Sequence, residues 1–302
     1  LMLMYYQPVF EFGNVYTIDS IRLSLSFLSP KAVNKFLDEL SGIIGYTYYE
    51  SYKDFSYRHL FVFGTKGHSF SLGVGFNGSS SGDSVKGMLD FNPNKILGDV
   101  HYGEGFVRSL HNPFSLDDMS YVSFCERVKS VFLDVWKLLQ KYLLHTYLKR
   151  YDFAMDVPML RSDVQLLKDS RKYSQFYKSE TDFTEYLGNV DTVGRVKVYN
   201  KQLESGLNYP LTRVEITLDS LNYDEMACKF PQIYLRDMIQ LDSDKVLVQL
   251  LRKTPSSDLD FYFRQMTRPA KKKFKAILLS KQVEIPQDVF EKVVNTLNVW
   301  IV

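Results

Sequence analysis

The 302-residue sequence predicts an α+β fold with a largely antiparallel sheet core, followed by a helical C-terminal region. Three observations support this class: strand-like alternation occurs in two separate parts of the chain, a long helical pattern joins them, and helical patterns predominate from about residue 222. Strands and helices in this order are typical of α+β proteins. Each of the two parts, about 17–95 and 149–219, contains a strand, a helix and further strands, which indicates duplicated βαββ-type units.

The first half opens with a strand. In residues 17–28, TIDSIRLSLSFL, apolar and polar side chains alternate, which is typical of a strand with one buried face. Ser29 is a favoured helix cap and Pro30 is a favoured first helical residue, so a helix is predicted to begin at Pro30. Further strands are predicted in the segments YTYYESY, LFVFGT, SFSLGVGF and MLDFNP, with a turn-rich loop, NGSSSGDSVKG, before the last of them.

A long helix is predicted to join the two halves. Its apolar residues repeat at helical spacing over about residues 116–148, and Ser115 precedes it as a cap. The second half then contains a strand at KRYDFAMDVP, a helical pattern at SDVQLLKDSRKYSQFY, and strands at TDFTEYLG, GRVKVYN and LTRVEITLD. We therefore divide the chain into a domain over residues 1–221 and a helical accessory region over residues 222–302.

Cysteine usage and hydropathy limit where the protein works. Cys125 and Cys228 lie far apart, and neither belongs to a metal-binding or redox motif, which favours a reducing compartment. No segment of the sequence approaches the roughly 18 consecutive apolar residues that a membrane-spanning helix needs. We therefore expect a cytoplasmic protein that makes no membrane contact.

Positive charge is concentrated in the C-terminal region, although the net charge of the whole chain is only +2. The segment RQMTRPAKKKFKAILLSK contains seven basic residues and no acidic one. Such a local field suits a polyanion such as DNA, whereas a solvated helix face would account for the same pattern without a partner. The basic residues that we predict to contact DNA here are Arg264, Arg268, Lys271, Lys272, Lys273 and Lys275.

Charged side chains also share one face of three predicted strands. In RYDFAMDV, Asp152 and Asp156 lie on the same face, because side chains alternate along a strand. Two carboxylates on one face repel unless positive charge lies near them, and a divalent cation such as Mg²⁺ or Mn²⁺ would supply it. The two strands that follow are predicted to turn their valines and isoleucine to the core and to face outward with Arg195, Lys197, Tyr199, Lys201, Arg213, Glu215 and Thr217.

If these three strands are neighbours, one sheet face brings together the parts of a phosphoryl-transfer site. Asp152, Asp156 and Glu215 would hold the metal ion, and Tyr199 beside it would attack the phosphate in line. Arg195, Lys197 and Arg213 would stabilise the negative charge that develops. Cross-strand ion pairs on an ordinary solvated sheet face would account for the same residues without any chemistry.

Several of these segments resemble a known family. The stretch YLGNVDTVGRVKVYNKQLE followed by YPLTRVEITLD is similar to the core signature of the plasmid and phage replication initiation factors of the Rep_trans type. KRYDFAMDV, IDSIRLSLSF and KGMLDFNPNK resemble further strands of that family, in the same order. The resemblance covers roughly residues 17–219. One departure is the segment GNVDTVG, which lacks a basic residue found in the family at this place.

The resemblance implies a metal-dependent nickase that initiates rolling-circle replication. Such proteins cut one strand of duplex origin DNA, become joined to its 5′ phosphate through a tyrosine, and often act as dimers. Tyr199 matches the family's YNK tyrosine, with Tyr186 as a second candidate, and Lys201 matches a basic position expected to contact DNA. Residues 1–221 would then be the nicking and joining domain. Single-stranded DNA at the nick site, a second copy of the chain and a host helicase are the further partners expected.

Other functional classes stay open at this point. A non-catalytic, sequence-specific DNA-binding initiator or regulator, or an RNA-binding protein, would have the same fold, with the acidic residues serving only in ion pairs. A structural or interaction protein with this sheet would need neither. The five histidines contain no histidine pair separated by one residue, so a nickase with a histidine-built metal site is not indicated.

Overall fold

The computed structural model describes residues 8–44, 57–65, 68–76, 85–98, 119–235, 254, 256–279 and 282–301. Four predicted features lie outside these residues. They are the strand YTYYESY, most of the loop NGSSSGDSVKG, the Ser115 cap and residues 236–253 of the predicted helical region. The α+β class is confirmed, since strands and helices both make up large parts of the described chain and every strand pairing for which a register is defined is antiparallel.

Elements are numbered along the described residues. The strands are β1 (Val9–Glu11), β2 (Asn14–Phe27), β3 (Tyr57–Thr65), β4 (His68–Phe76), β5 (Lys86–Phe91), β6 (Leu143–Val157), β7 (Val164–Leu166), β8 (Tyr173–Tyr177), β9 (Phe183–Leu187), β10 (Val196–Asn200), β11 (Thr212–Leu218) and β12 (Ile233–Leu235). The α-helices are α1 (Pro30–Ile44), α2 (Pro93–Ile96), α3 (Met119–Tyr142), α4 (Lys201–Ser205), α5 (Tyr223–Lys229), α6 (Ser256–Gln265), α7 (Arg268–Leu279) and α8 (Gln287–Val294). Two 3₁₀ turns, Arg161–Asp163 and Asn295–Trp300, complete them.

The chain divides into two compact units. The first takes in Thr17–Phe153 and Lys292–Val302, and the second takes in Val9–Tyr16 and Ala154–Glu291. Strands β2 and β6 therefore contribute residues to both units. The predicted boundary after residue 221 concerns a division of function between nicking and DNA binding, and it stays a prediction.

The first unit is organised around an aromatic cluster beneath its sheet. The strands lie in the order β3-β4-β5-β2-β6. Phe91 of β5 packs against Phe132 of α3 with ring centroids 4.7 Å apart, and Trp300 packs against both Phe91 and Trp136. These side chains are all nearly fully buried, so burial of aromatic surface is a main source of stability here.

The opposite face of the first unit is polar and carries an ion pair. Arg22 of β2 lies directly across from Asp90 of β5, and its Nη2 atom is 2.5 Å from the Asp90 Oδ2 atom. Asp90 in turn lies across from Ser71 of β4. A carboxylate and a guanidinium thus link the first strand of this unit to its neighbour.

The second unit repeats the strand order of the first. The last residues of β6 are followed in the sheet by β11, β10, β9 and β8. In both units the first strand, β2 or β6, therefore lies beside the last strand of a three-stranded meander, and the duplication of βαββ-type units stays a prediction. The first unit inserts helix α1 after its first strand, whereas the described residues between β6 and β9 contain a 3₁₀ turn and the strands β7 and β8.

Strands β7 and β12 form a separate two-stranded sheet in the second unit. Residues on or beside this small sheet, Leu167 and Tyr234, pack with apolar side chains of α6 and α7. Phe263 of α6 and Phe274 of α7 meet edge to face, with their ring centroids 5.5 Å apart. The two C-terminal helices are therefore anchored by a small core of their own.

Two element predictions are wrong. The long helix ends at Tyr142, and the residues that follow, beginning with Leu143, belong to strand β6. Burial alternates from Thr146 to Arg150, as in a strand, and the Thr146 hydroxyl donates a hydrogen bond to the Trp300 carbonyl. The segment SDVQLLKDSRKYSQFY is not a helix either, because β7 pairs with β12 and β8 pairs with β9.

The predicted N-cap of α1 generates a stability test. The Ser29 hydroxyl accepts a hydrogen bond from the Ala32 backbone N–H at 3.1 Å, as an N-cap side chain does. Ser29→Ala should lower the free energy of unfolding by about 1 kcal/mol, because that N–H loses its partner. Urea titration followed by circular dichroism measures the change. Ser29→Asp, which keeps a capping oxygen, is the control and should stay near wild type; an equal loss in both variants would contradict the cap.

Candidate active site

Strands β6, β11 and β10 are neighbours in the second unit, which is the condition that the candidate site requires. In the register between β10 and β11, Lys197 lies opposite Glu215 and Tyr199 lies opposite Arg213. Val196 and Val198 point to the other face and are fully buried. The period of two in a strand thus gathers Lys197, Tyr199, Arg213 and Glu215 on one sheet face.

Tyr199 and Glu215 form the centre of this site. The Tyr199 hydroxyl donates a hydrogen bond of 2.6 Å to the Glu215 Oε1 atom. The Lys197 Nζ atom lies 3.6 Å from the other Glu215 oxygen and 3.8 Å from the centroid of the Tyr199 ring. A phenol, a carboxylate that accepts its proton and an ammonium group are therefore in direct contact.

The three side chains differ in their access to solvent. Tyr199 is only 5 % exposed, whereas the Lys197 side chain is 35 % exposed. The ammonium group of Lys197 therefore forms the outer side of the site. A ligand that reaches Tyr199 from solvent would meet this positive charge first.

Asp156 and Arg213 form a buried ion pair beside Tyr199. Arg213 donates two hydrogen bonds to Asp156, from Nε to Oδ1 at 2.5 Å and from Nη2 to Oδ2 at 2.6 Å. Both side chains are fully buried. A bidentate pair of this kind fixes strand β11 against β6, because breaking either half would leave an uncompensated charge away from water.

The predicted carboxylate metal site does not assemble among the described residues. No group of three His, Cys, Asp or Glu side chains within them comes close enough together to hold a metal ion. Both Asp156 oxygens face Arg213, and Glu215 faces Tyr199 and Lys197. Asp152 is half-buried and belongs to the first unit. A metal requirement therefore stays a prediction.

The structure corrects the predicted exposure of several site residues. Arg213 and Tyr199 were expected on a solvated face, but both are buried. Lys201 is not on strand β10 at all: it is the first residue of helix α4, its side chain is 3 % exposed, and it pairs with Glu204. Its Nζ atom lies 5.8 Å from the centroid of the Tyr199 ring, so Lys201 covers Tyr199 and is not placed to contact DNA.

Arg195 and Tyr186 form a second cation–aromatic contact on the same sheet face. Tyr186 of β9 lies across from Lys197, and the Arg195 guanidinium carbon is 4.9 Å from the centroid of its ring. Both side chains are partly exposed. Tyr186 is thus close to the site by register, but its ring is stacked with a cation.

The basic C-terminal segment is divided between α6 and α7. Phe274 points inward, as predicted, and is buried in the small apolar core. Of the basic residues, Arg264, Arg268, Lys272 and Lys273 are exposed and Lys271 is partly exposed, while the Lys275 side chain lies outside what the structure describes. Most of this positive charge is therefore accessible to a polyanion.

A polar cluster that the sequence patterns do not predict lies on the opposite face of the sheet, at the neighbouring strands β8 and β9. Arg161 and Glu185 form an ion pair with both side chains fully buried, and the Tyr173 hydroxyl donates a 2.8 Å hydrogen bond to Glu185. Burial and the Glu185 charge raise the pKa of the Tyr173 phenol far above its usual value. Tyr173 therefore stays protonated. The signal was present in FTEYL, where Glu185 occupies a core-facing position between Phe183 and Leu187.

Comparisons with known proteins find similarity among solved structures but not among family models or curated proteins. No family model matches the chain, and no curated protein matches it, so membership in the Rep_trans family stays a prediction. Among solved structures, the chain is similar to a rolling circle replication initiator protein from Geobacillus stearothermophilus, with 11 % sequence identity and a TM-score of 0.37. The match covers 94 % of this chain and 97 % of the other. A TM-score this low does not establish a shared fold.

Among the described residues, no helix is both long enough and apolar enough to cross a membrane.

The buried Asp156–Arg213 pair makes a quantitative prediction. Asp156→Ala should lower the free energy of unfolding by about 3–5 kcal/mol, because the Arg213 charge is left buried without its partner. The double variant Asp156→Leu, Arg213→Met should be clearly more stable than Asp156→Ala, since no charge remains to be buried. Urea titrations of the wild type, Asp156→Ala, the single variants Asp156→Leu and Arg213→Met, and the double variant measure this. If the losses of the two single variants simply add in the double variant, the pair is not coupled.

Proposed function

We propose that this protein nicks and rejoins one DNA strand at a replication origin through a covalent phosphotyrosine at Tyr199, and so initiates rolling-circle replication. The observation that carries the proposal is the contact of the Tyr199 hydroxyl with Glu215 at 2.6 Å, with Lys197 against both. The resemblance of the strands around Tyr199 to the Rep_trans signature points to the same reaction. A nucleophile hydrogen-bonded to its base, with a cation beside them, is the arrangement that nucleophilic catalysis needs.

In the first step the Tyr199 oxygen attacks the scissile phosphorus. The phenolic proton passes to Glu215, a new O–P bond forms, and the bond between phosphorus and the 3′ oxygen breaks in line with it. The departing 3′ oxygen takes a proton from water. Rejoining reverses the sequence: a 3′ hydroxyl gives its proton to water and attacks the phosphorus, the Tyr199 O–P bond breaks, and Glu215 returns the proton to the Tyr199 oxygen.

Positive charge at the site serves two separate purposes in this proposal. Lys197 is the most accessible group beside Tyr199, so we assign to it the stabilisation of the charge on the phosphate oxygens. Arg195 would attract the neighbouring backbone phosphate. Arg213 is fully engaged with Asp156, so its role is to position β11, and with it Glu215, rather than to contact the substrate.

Binding of the duplex origin is assigned to α6 and α7. Their exposed arginines and lysines would contact backbone phosphates, which gives affinity without reading the sequence. The buried Phe263 and Phe274 hold the two helices in place behind this charge. A second copy of the chain and a host helicase stay predicted partners, and a cytoplasmic location stays predicted.

One observation favours a second function. Tyr199 is nearly buried, and the described carboxylates are paired rather than gathered around a cation. A non-catalytic origin-binding initiator would have the same basic helices and would use the Tyr199–Glu215 contact only for stability. Covalent joining to DNA separates the two functions.

The nucleophile is tested by adduct formation. The protein is incubated with Mg²⁺ or Mn²⁺ and single-stranded oligonucleotides from its own origin, and a denaturing gel shows whether protein and DNA become covalently joined. We expect an adduct with the wild type and at least a hundredfold less with Tyr199→Phe, because the attacking oxygen is removed.

Tyr173→Phe is the matched control for this test. It removes a partly buried hydrogen bond from a tyrosine to a glutamate on the neighbouring strands β8 and β9 and on the opposite sheet face, and it should leave the adduct unchanged. A full adduct yield with Tyr199→Phe would show that Tyr199 is not the nucleophile, and Tyr186→Phe would then be tested. No adduct with any variant, together with salt-sensitive DNA binding, would favour the non-catalytic function.

The cofactor proposal of Mg²⁺ or Mn²⁺ is supported by the resemblance alone. We expect EDTA to abolish adduct formation, and added Mn²⁺ or Mg²⁺ to restore it, as measured on the same gels. DNA binding by α6 and α7 should be insensitive to EDTA, which serves as the control. An undiminished adduct in EDTA would show that Lys197 and Glu215 work without a cation.

A further inference from the structure

Three aromatic rings lie on the sheet face that carries Tyr199, one on each strand from β10 to the sheet edge. Lys197 pairs with Tyr186 of β9, so Tyr199, which alternates with Lys197, shares the face of Tyr186. Tyr186 alternates with Thr184, and Thr184 pairs with Phe176 of β8. Tyr199, Tyr186 and Phe176 are named the aromatic row below. Neighbouring strands lie about 4.8 Å apart, so the row extends across about 10 Å of sheet.

Each ring of the aromatic row has a cation against it. Lys197 lies 3.8 Å from the centroid of Tyr199, Arg195 lies 4.9 Å from that of Tyr186, and Lys178 lies 5.9 Å from that of Phe176. The Lys178 Nζ atom also lies 3.4 Å from an oxygen of Asp182, which offsets part of its charge. Rings and cations thus alternate across the surface.

Exposure increases along the row toward the edge of the sheet. Tyr199 is nearly buried, Tyr186 is partly exposed, and Phe176 is 58 % exposed. Within the described residues β8 is the outermost strand of its sheet, so a ligand can reach Phe176 from the side. The Phe176 ring is large, apolar and exposed to water, so binding of a ligand that covers it lowers the free energy.

We propose that the aromatic row binds the single-stranded DNA that carries the scissile phosphate, with unpaired bases stacking on Tyr186 and Phe176. Stacking platforms for single strands combine aromatic faces with cations that follow the backbone, and both are present here. Row and nucleophile share one face, so a strand whose phosphate lies at Tyr199 would continue over Tyr186 toward β8. The inference deepens the proposed function, because it assigns the path of the nicked strand.

The chain offers a closely matched pair of residues for the test. Phe176 and Tyr177 are neighbours on β8 and are equally exposed, at 58 %. Tyr177 points to the other sheet face, where its ring lies 6.2 Å from that of Phe183. Removing either ring changes a similar amount of exposed aromatic surface, but only Phe176 belongs to the aromatic row.

The experiment measures binding of fluorescein-labelled dT12, and of a duplex of the same length, by anisotropy with the full chain in EDTA. Phe176→Ala should weaken binding of dT12 about tenfold, since stacking on one ring contributes about 1–3 kcal/mol per base. Its affinity for the duplex should not change. Tyr177→Ala should bind both probes like the wild type. Equal losses in the two variants, or no loss with Phe176→Ala, would overturn the proposal.

Salt dependence separates the rings from their cations. Phe176→Ala should leave the slope of log affinity against log salt unchanged, whereas Lys178→Gln should reduce it by about 0.7, the value for one phosphate contact on a single strand. Phe176→Trp keeps an aromatic face and adds a fluorophore at the edge of the sheet. Its emission should be quenched by dT12, and an emission that does not respond would count against stacking.

Two further outcomes keep this inference distinct from the proposed function. If Tyr199→Phe still forms the covalent adduct while Phe176→Ala loses dT12 affinity, the nucleophile assignment fails and the binding surface stands. If Phe176→Ala changes the sedimentation coefficient of the free protein but not its affinity for dT12, the row is a contact between copies of the chain, and the proposal is overturned.

Discussion

The buried ion pair between Asp156 and Arg213 is the interaction on which the arrangement of the site depends. Two charges held away from water are stable only when each satisfies the other, so the pair permits one relative position of β6 and β11. That position fixes the register in which Glu215 meets Lys197 and Arg213 lies opposite Tyr199. The chemistry that we assign to Tyr199 therefore relies on two side chains that never touch the substrate.

In the second unit, the two faces of the large sheet show how the same kinds of residue take different roles. On one face Tyr199 and Glu215 meet the accessible Lys197, and on the other Glu185 and Arg161 are fully buried, with the partly exposed Tyr173 against Glu185. Burial raises the pKa of Tyr173 and keeps it a proton donor. The accessible lysine beside Tyr199 is what gives that tyrosine a path to an anionic ligand.

Alternation along the strands was sufficient to predict the fold class and, given that β10 and β11 are neighbours, the shared face of Tyr199 and Glu215. It was not sufficient for Lys201, because the Asn200 side chain accepts a hydrogen bond from the Leu203 N–H and begins a helix there. Alternation also does not show whether Arg213 pairs with a carboxylate of the protein or stays available to bind a phosphate of the DNA. That choice depends on burial, which is set by elements distant in sequence.

The two units also differ in a way that bears on how the protein could have evolved. In the first unit an arginine on the leading strand pairs with an aspartate on its neighbour, and in the second the aspartate leads and the arginine follows. Ser71 lies across from that aspartate, as Tyr199 lies across from Arg213. Tandem copying of one ancestral gene segment would leave such a pattern. One descendant could then specialise in chemistry, while selection on the other relaxed to the preservation of its architecture.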